Sequence, residues 1–305
     1  MKKIAAALVI LAIAAAFLFF WLTAPSYLSD EMLAGMDNGD ASAGERIFNA
    51  GGCVSCHAAN EAQGDERLKL GGGLALATPF GTFRAPNIST DEENGIGAWS
   101  AGDFANAMLK GVSPDGRHFY PAFPYPSYAR MKPADIADLW AFMKTLPSVE
   151  KSNLPHELSF PFNVRRGLGL WKLLFLSSDP VVAIDESDPK LVLGRYLVEG
   201  PGHCGECHTP RNLIGGSDKA RWLAGGPAPE GDGKIPNITP DSTGIGSWSE
   251  ADSAYSLESG FTPEFDSFGS SMADVQRNMA RLSAEDREAI AAYLKAVPSV
   301  ASSGQ

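Results

Sequence analysis

Two short motifs contain the residues of this chain that are best suited to chemistry. They read Cys53-Val54-Ser55-Cys56-His57 and Cys204-Gly205-Glu206-Cys207-His208, and they hold all four cysteines of the 305-residue sequence. Two thiols one helical turn apart can each form a thioether with a vinyl group on one edge of a porphyrin, and the histidine that follows can bind the iron. The spacing therefore predicts two covalently bound haem c groups. Their thioether residues are Cys53, Cys56, Cys204 and Cys207, and their proximal iron ligands are His57 and His208.

Two other uses of paired cysteines fit the sequence less well. A redox-active disulfide of the thioredoxin type would require a βαβ pattern around the motif, and neither copy has one. A structural zinc site would require ligands that come together, whereas these two identical motifs lie about 150 residues apart and each ends in histidine. Haem attachment is therefore the favoured interpretation of both motifs.

The second axial ligand decides whether each iron carries electrons or reacts with a substrate. A methionine thioether raises the potential and closes the site, which suits electron transfer. In small c-type cytochromes this methionine lies in a loop shortly before the final helix. For the first haem the sequence offers Met131, with His118 as the alternative. For the second haem it offers Met272, and the competing Met279 is expected to pack in a helix instead.

The chain repeats itself over an interval of about 150 residues, and this determines the expected domains. Four stretches outside the cysteine motifs recur in the same order: 44–48 and 194–198, 86–88 and 236–238, 95–100 and 244–249, and 141–149 and 292–300. A repeat of this kind predicts a duplicated domain of about 110–120 residues, within the usual domain size. The expected division is an anchor or signal over 1–30, one domain over 31–150, a linker over 151–190 and a second domain over 191–305.

Each copy is expected to open with a short helix and to close with a longer amphipathic one. Ser42, Asp188 and Ser283 are suitable N-caps, and Pro147 and Pro298 stop the closing helices. Apolar residues recur at helical spacing in the closing segments: Ile136, Leu139, Trp140, Met143, Leu146, Ile290, Tyr293, Leu294 and Val297. The 32 glycines and 21 prolines place much of the remainder in loops. The pattern predicts an all-α fold whose thin core is filled by the porphyrins.

The N-terminus indicates export. Lys2 and Lys3 precede residues 4–22, which contain no charge and are long enough to cross a bilayer as a helix. The lysines favour a cytoplasmic N-terminus and place the rest of the chain on the periplasmic side. We expect a retained single-pass anchor, because Leu22, Thr23 and Ala24 followed by Pro25 form a poor cleavage site. A cleaved signal, which would leave a soluble periplasmic protein, is the alternative.

Charge and composition exclude several partners and chemistries. The formal net charge is −11, which argues against nucleic acid and anionic membrane surfaces as partners, since both attract basic patches. No Ser/His/Asp set, phosphate-binding glycine loop or paired acidic metal site stands out, so no catalytic residue is predicted.

An apolar cluster lies in the linker, at residues 168–176. It is too short to cross a membrane. We expect it to be buried between the two domains, and the alternative is a docking surface for a dehydrogenase subunit or for the bilayer interface.

Several stretches resemble the cytochrome c subunits of membrane-bound alcohol, gluconate and related periplasmic dehydrogenases. They are residues 115–125, 161–166, 171–175 and 203–211. The resemblance implies two tandem class I cytochrome c domains behind the N-terminal helix, with His/Met ligation of each haem. It also implies that electrons pass from a dehydrogenase towards a quinone, a soluble cytochrome or a terminal oxidase. Members of that family often carry three haem motifs, whereas this chain has two, so a free or anchored two-haem carrier is favoured over the quinone-linked role of the three-haem subunits.

Two classes of function remain to be distinguished. The first is electron transfer without substrate chemistry. The second is a haem enzyme that acts directly on a small substrate, such as a peroxidase or an enzyme oxidising sulfur compounds. Candidate methionine ligands in both halves, and the lack of a fifth cysteine, favour electron transfer.

Overall fold

The structure, a computed structural model, describes residues 1–229 and 233–302. Its helices are α1 (Lys2–Leu22), α2 (Asp30–Leu33), α3 (Ala41–Ala50), α4 (Cys53–His57), α5 (Ala101–Lys110), α6 (Tyr125–Tyr128), α7 (Pro133–Met143), α8 (Leu168–Phe175), α9 (Pro189–Glu199), α10 (Gly205–His208), α11 (Glu250–Ser259), α12 (Ser271–Met279) and α13 (Ala284–Ala296). Its strands are β1 (Ala75–Thr78), β2 (Gly81–Arg84), β3 (Glu157–Leu158), β4 (Gly226–Pro227) and β5 (Lys234–Ile235). The expected second domain, 191–305, includes residues 230–232 and 303–305, which lie outside the described residues.

Helix α1 is the most exposed of the long helices. It has no buried residue, and within residues 1–229 and 233–302 it is the one helix long and apolar enough to cross a membrane. The predicted N-terminal apolar helix is therefore present.

The two halves of the chain are built from matching elements. In the first half, α3 packs on α7, and an added Cβ on Gly44 would lie 2.0 Å from the Asp138 carbonyl oxygen. In the second half, α9 packs on α13, and an added Cβ on Gly194 would lie 1.9 Å from the Ala289 carbonyl oxygen. Only glycine lets the helices approach so closely. The glycine that opens each repeat therefore marks the helix crossing.

Each pair of helices encloses its own hydrophobic cluster. The first cluster gathers side chains from α3, α5 and α7, including Phe48, Phe104 and Trp140. The second gathers side chains from α9 and α13, including Leu197 and Tyr293. Local capping repeats as well, since Ser100 caps α5 and Ser249 caps α11, each with a capping box. Each half thus has its own pair of packed helices and its own core cluster.

Short strands accompany the helices. Strands β1, β2 and β3 form an antiparallel sheet in that order, and β4 pairs with β5. The helix-rich character of the fold agrees with the sequence prediction. The strands were not predicted, because segments of two to four residues are too short to show an alternating pattern.

Polar contacts join the two halves. The Arg46 guanidinium of α3 donates to the Asp286 carboxylate of α13, with Nε 2.9 Å from Oδ2. The Tyr196 hydroxyl of α9 donates to the Asp135 carboxylate of α7. The Lys132 ammonium lies 4.8 Å above the Tyr196 ring. These contacts connect the opening helix of each half to the closing helix of the other.

Candidate haem-attachment sites

The cysteine motifs each occupy a single helical turn. In the first half, Cys53 begins α4 after Gly52, whose φ of +57° favours glycine. In the second half, Cys204 has helical φ and ψ and is directly followed by α10. Both motifs therefore place their two thiols one turn apart on the same stretch of backbone. This is the arrangement that two thioether bonds to one porphyrin edge require.

A backbone carbonyl orients the histidine of each motif. His57 Nδ1 lies 2.8 Å from the carbonyl oxygen of Pro86, and His208 Nδ1 lies 2.9 Å from that of Pro236. A carbonyl can only accept a hydrogen bond, so Nδ1 carries the proton and Nε2 keeps its lone pair. Burial lowers the pKa of both histidines. Each is therefore a neutral imidazole with a defined tautomer, the form that binds iron.

The loop that supplies each carbonyl is itself held in place by an asparagine. The buried Asn87 side chain donates to the Val149 carbonyl oxygen at 2.7 Å, and Asn237 donates to that of Val300 at 2.8 Å. These bonds join two landmarks of the repeat, the Pro-Asn-Ile stretch and the segment after the closing helix. In each half, this bond fixes the loop whose carbonyl oxygen accepts from the histidine of the motif. The sequence pattern did not reveal this role of the asparagine.

The candidate sixth ligands occupy different environments. Met131 is buried in the first core cluster, against which Cys53 and Trp99 pack. Met272 is half-buried in the first turn of α12. Met279 is buried in the second core cluster, as expected for a packing residue. The two ligand assignments, Met131 and Met272, stay predictions.

His118, the alternative ligand for the first haem, is engaged through both ring nitrogens. Its Nε2 lies 2.9 Å from the Thr23 carbonyl oxygen, and its Nδ1 lies 3.1 Å from the Lys172 ammonium. The side chain is buried, and burial lowers its pKa. A neutral imidazole that donates through Nε2 and accepts through Nδ1 accounts for both contacts.

The two attachment segments touch one another. His203, directly before Cys204, has Nε2 3.2 Å from the Gly51 carbonyl oxygen, two residues before Cys53. Inside the first motif, the Ser55 hydroxyl accepts a hydrogen bond of 2.9 Å from Asn278 of α12. Side chains of His203 and Tyr128 also meet edge to face. The sequence places His203 beside a motif but gives no sign of this contact, because the pairing joins residues 152 positions apart.

A hydrogen bond between the first half and the second motif adds to the contact between the attachment segments. The Ser127 hydroxyl of α6 donates to Glu206 at 2.8 Å, and Glu206 also pairs with Arg211. The first half therefore contacts the second motif, just as the second half contacts the first.

Burial raises the pKa of Cys53 and Cys204 to about 12, so both thiols are protonated at pH 7 before a haem is attached. No group of three or more His, Cys, Asp or Glu side chains forms a metal site within residues 1–229 and 233–302. The residues present fit covalent haem, since paired thiols and an oriented neutral histidine are the groups its attachment needs.

Comparison with known proteins finds similar sequences over most of the chain. The family model named Cytochrome c matches residues 41–147. A protein of Cereibacter sphaeroides named "Diheme cytochrome c-type" is 56% identical over 280 residues, which is 92% of this chain and 93% of the relative.

Subunits of dehydrogenases are also similar. A protein of Gluconobacter oxydans named "Alcohol dehydrogenase (quinone), cytochrome c subunit" is 38% identical over 84% of this chain. The cytochrome c subunit of a gluconate 2-dehydrogenase from Pantoea cypripedii is 37% identical over 83% of this chain. The chain spans 54% and 58% of the length of these two subunits.

The helix-rich fold and the oriented histidines define a cytochrome c, a class of protein that transfers electrons. The chain belongs to the cytochrome c family, among the proteins named as dihaem cytochromes c and as cytochrome c subunits of dehydrogenases.

Proposed function

We propose that this chain is a membrane-anchored periplasmic cytochrome c that relays electrons through two covalently bound haem c groups. It accepts electrons from a dehydrogenase and passes them to a respiratory acceptor, which is a quinone, a soluble cytochrome or a terminal oxidase. It has two tandem class I cytochrome c domains, over residues 31–150 and 191–305, joined by a linker over 151–190. Haem iron supplies one-electron chemistry when bound, and the protein itself provides no catalytic residue.

The contact between the two attachment segments is the observation that carries this proposal. The backbone carbonyl of Gly51 and the side chain of His203 link the residues just before the two motifs at 3.2 Å. Attachment segments that touch one another favour electron transfer between the two haems that they would hold. A pair of independent enzymatic sites would not need such a contact.

The proposed ligands follow from the arrangement of each half. Thioethers form at Cys53 and Cys56 in the first half and at Cys204 and Cys207 in the second. His57 and Met131 bind the first iron, and His208 and Met272 bind the second. The two hydrogen bonds of His118 support Met131 over His118 as the first sixth ligand.

Contacts at the end of α1 support its retention as an anchor. Thr23 is fully buried, although α1 itself is exposed. Its carbonyl oxygen accepts from His118, and its hydroxyl accepts from Arg166 at 2.8 Å. Cleavage near Thr23 would expose or remove the carbonyl and hydroxyl groups to which His118 and Arg166 donate. We therefore infer a single-pass helix with a cytoplasmic N-terminus and a periplasmic body.

Purification from the native membrane tests the function. The haem-loaded chain, extracted in mild detergent, is expected to bring down a dehydrogenase subunit in stoichiometric amount. Adding that enzyme's substrate should reduce both haems. Rapid turnover of peroxide or a sulfur compound by the isolated chain would contradict the proposal and indicate a haem enzyme.

A further inference from the structure

Helix α8 presents its apolar side chains to the outside of the molecule. Leu170, Leu173 and Leu174 are 39%, 63% and 70% exposed, and their spacing places them on one face of the helix. Gly169, at the start of the same helix, is buried against Thr23, where an added Cβ would lie 2.5 Å from the Thr23 Cα. The expectation that this segment is buried between the two halves is therefore wrong for Leu170, Leu173 and Leu174.

The single cation of α8 points inward. The Lys172 ammonium donates to the carbonyl oxygens of Lys110 and Gly111 at 2.7 and 2.6 Å, and lies 3.1 Å from His118 Nδ1. It thereby caps the C-terminal end of α5, where a positive charge is favourable. A helix that faces water places its charges outward and its leucines inward. Helix α8 has the opposite arrangement, so its outer face is suited to an apolar environment.

The end of α1 lies beside this face. Arg166, two residues before α8, donates to the Phe20 carbonyl oxygen at 2.7 Å and to the Thr23 hydroxyl at 2.8 Å. Its guanidinium also lies 5.6 Å from the centre of the Phe20 ring. The exposed end of α1 carries Phe20 and Trp21, which are 60% and 67% exposed. The leucine face and the proposed membrane span therefore meet at one junction.

Neighbouring loops extend the apolar surface. Trp171 Nε1 donates to the Ile214 carbonyl oxygen at 2.9 Å, which holds the exposed Leu213 and Ile214 against α8. We define the junction surface by its exposed apolar residues: Phe20, Trp21, Leu170, Leu173, Leu174, Leu213 and Ile214. Groups of exposed apolar side chains rimmed by polar residues mark interaction sites.

We propose that the junction surface lies in the headgroup and acyl boundary of the leaflet from which α1 emerges. The proposal rests on the membrane anchoring of α1. Continuity selects lipid as the occupant, because the surface begins at the last turn of a helix that is already in the bilayer. Leucine and tryptophan side chains insert favourably into this boundary region of a bilayer. The contact would fix the tilt of the body, and hence the position of both haem sites relative to the membrane.

Site-specific photo-crosslinking in native membranes tests this contact. The four natural cysteines all lie in the haem motifs, so a cysteine introduced elsewhere can be labelled with benzophenone maleimide. Leu173→Cys and Leu213→Cys probe the junction surface. Tyr255→Cys is the matched control, because Tyr255 is 60% exposed on helix α11 beside Lys190, Glu250 and Arg287. Absorption spectra with two haems per chain show that each variant is folded.

Illumination should attach phospholipid at residues 173 and 213, detected by mass spectrometry, with a yield about tenfold above that at residue 255. Equal lipid yields at all three positions, or crosslinks from 173 and 213 to another polypeptide, would overturn the proposal. A carbonate wash of the membranes distinguishes failure of the proposed α1 anchor from failure of the proposed lipid contact. Release of the chain by carbonate refutes the anchoring, whereas a retained chain without lipid adducts refutes only the junction surface.

Discussion

Among single residues, the glycine that opens each repeat has the most demanding position. Gly44 and Gly194 lie where α3 crosses α7 and α9 crosses α13, within 2.0 Å of a backbone carbonyl for any added Cβ. Gly44→Ala should therefore push the helices apart and lower the free energy of unfolding by about 3 kcal/mol. Denaturant unfolding of the haem-loaded protein measures this. A loss below about 1 kcal/mol would contradict the close helix crossing.

Gly102→Ala is the matched control for that substitution. Gly102 also lies in a helix, α5, but an added Cβ would meet nothing closer than Leu33 at 3.6 Å. Alanine loses less backbone entropy than glycine on folding, so this variant should be unchanged or more stable by up to about 1 kcal/mol.

The supporting residues of the histidines show what the sequence can and cannot reveal. The two motifs and their histidines are recognised from spacing alone. The carbonyl of Pro86 is not, because it acts through the backbone and lies 29 residues from His57. The recurrence of Pro-Asn-Ile shows that this stretch matters in both halves. It does not show that Asn87 anchors the loop to Val149, since that partner is another backbone group.

At the scale of elements, the sequence predicts where helices lie better than it predicts which of their faces are buried. Asp188 and Ser283 cap α9 and α13 as expected. Helix α3 is capped instead by Asp40, whose carboxylate accepts from the Ser42 backbone at 2.8 Å. Helix α8 is the larger difference. Its apolar composition suggested burial, whereas Leu170, Leu173 and Leu174 are exposed and Lys172 makes the inward contacts.

The contact between α3 and α13 depends on one buried carboxylate. Burial acts to raise the pKa of Asp286, but the hydrogen bond and charge of Arg46, with the Ser283 hydroxyl, outweigh it and hold the pKa below its usual value. Asp286→Asn should cost about 1–2 kcal/mol of unfolding free energy at pH 7. Because the folded-state pKa is depressed, the stabilisation is complete above the ordinary aspartate pKa and is lost as the pH falls through the folded value.

Denaturant unfolding at several pH values measures this dependence. The difference between wild type and Asp286→Asn should be constant from pH 7 to about pH 5 and shrink below about pH 4. Asp274→Asn is the control, since Asp274 pairs with Arg277 on the exposed side of α12. Its removal should change stability by less than about 0.5 kcal/mol. A difference for Asp286→Asn that does not shrink in acid would contradict the proposed role of its charge.

At the scale of the whole molecule, hydrogen bonds connect the end of α1, the first half and the second motif. The attachment segments meet at Gly51 and His203, and the Glu206 side chain of the second motif reaches Ser127 of the first half. The end of α1 is fixed to the same first half through His118 and Arg166. Helix α1, the first half and the second motif are thus connected by a series of contacts. The proposed electron relay, held at a fixed position against the membrane, would use such a series.

The two proposed methionine ligands make this relay testable one site at a time. Methionine raises a haem potential relative to histidine. Met131→His should therefore lower one of the two midpoint potentials, and Met272→His the other, each by on the order of 100 mV, within the ~0.8 V that axial ligands span. Met108→Leu, in the same buried cluster as Met131, should leave both potentials unchanged. Redox titration followed by absorbance measures all three variants.

The pattern of shifts identifies each ligand independently of the other. If Met131→His left both potentials in place, Met131 would not be a ligand. The first iron would then need another group, because both nitrogens of His118 are engaged by Thr23 and Lys172. If a substitution at either methionine shifted both potentials equally, the two sites would be coupled strongly enough to titrate as a pair. A single shift per variant would establish two distinct carriers, each with one methionine ligand.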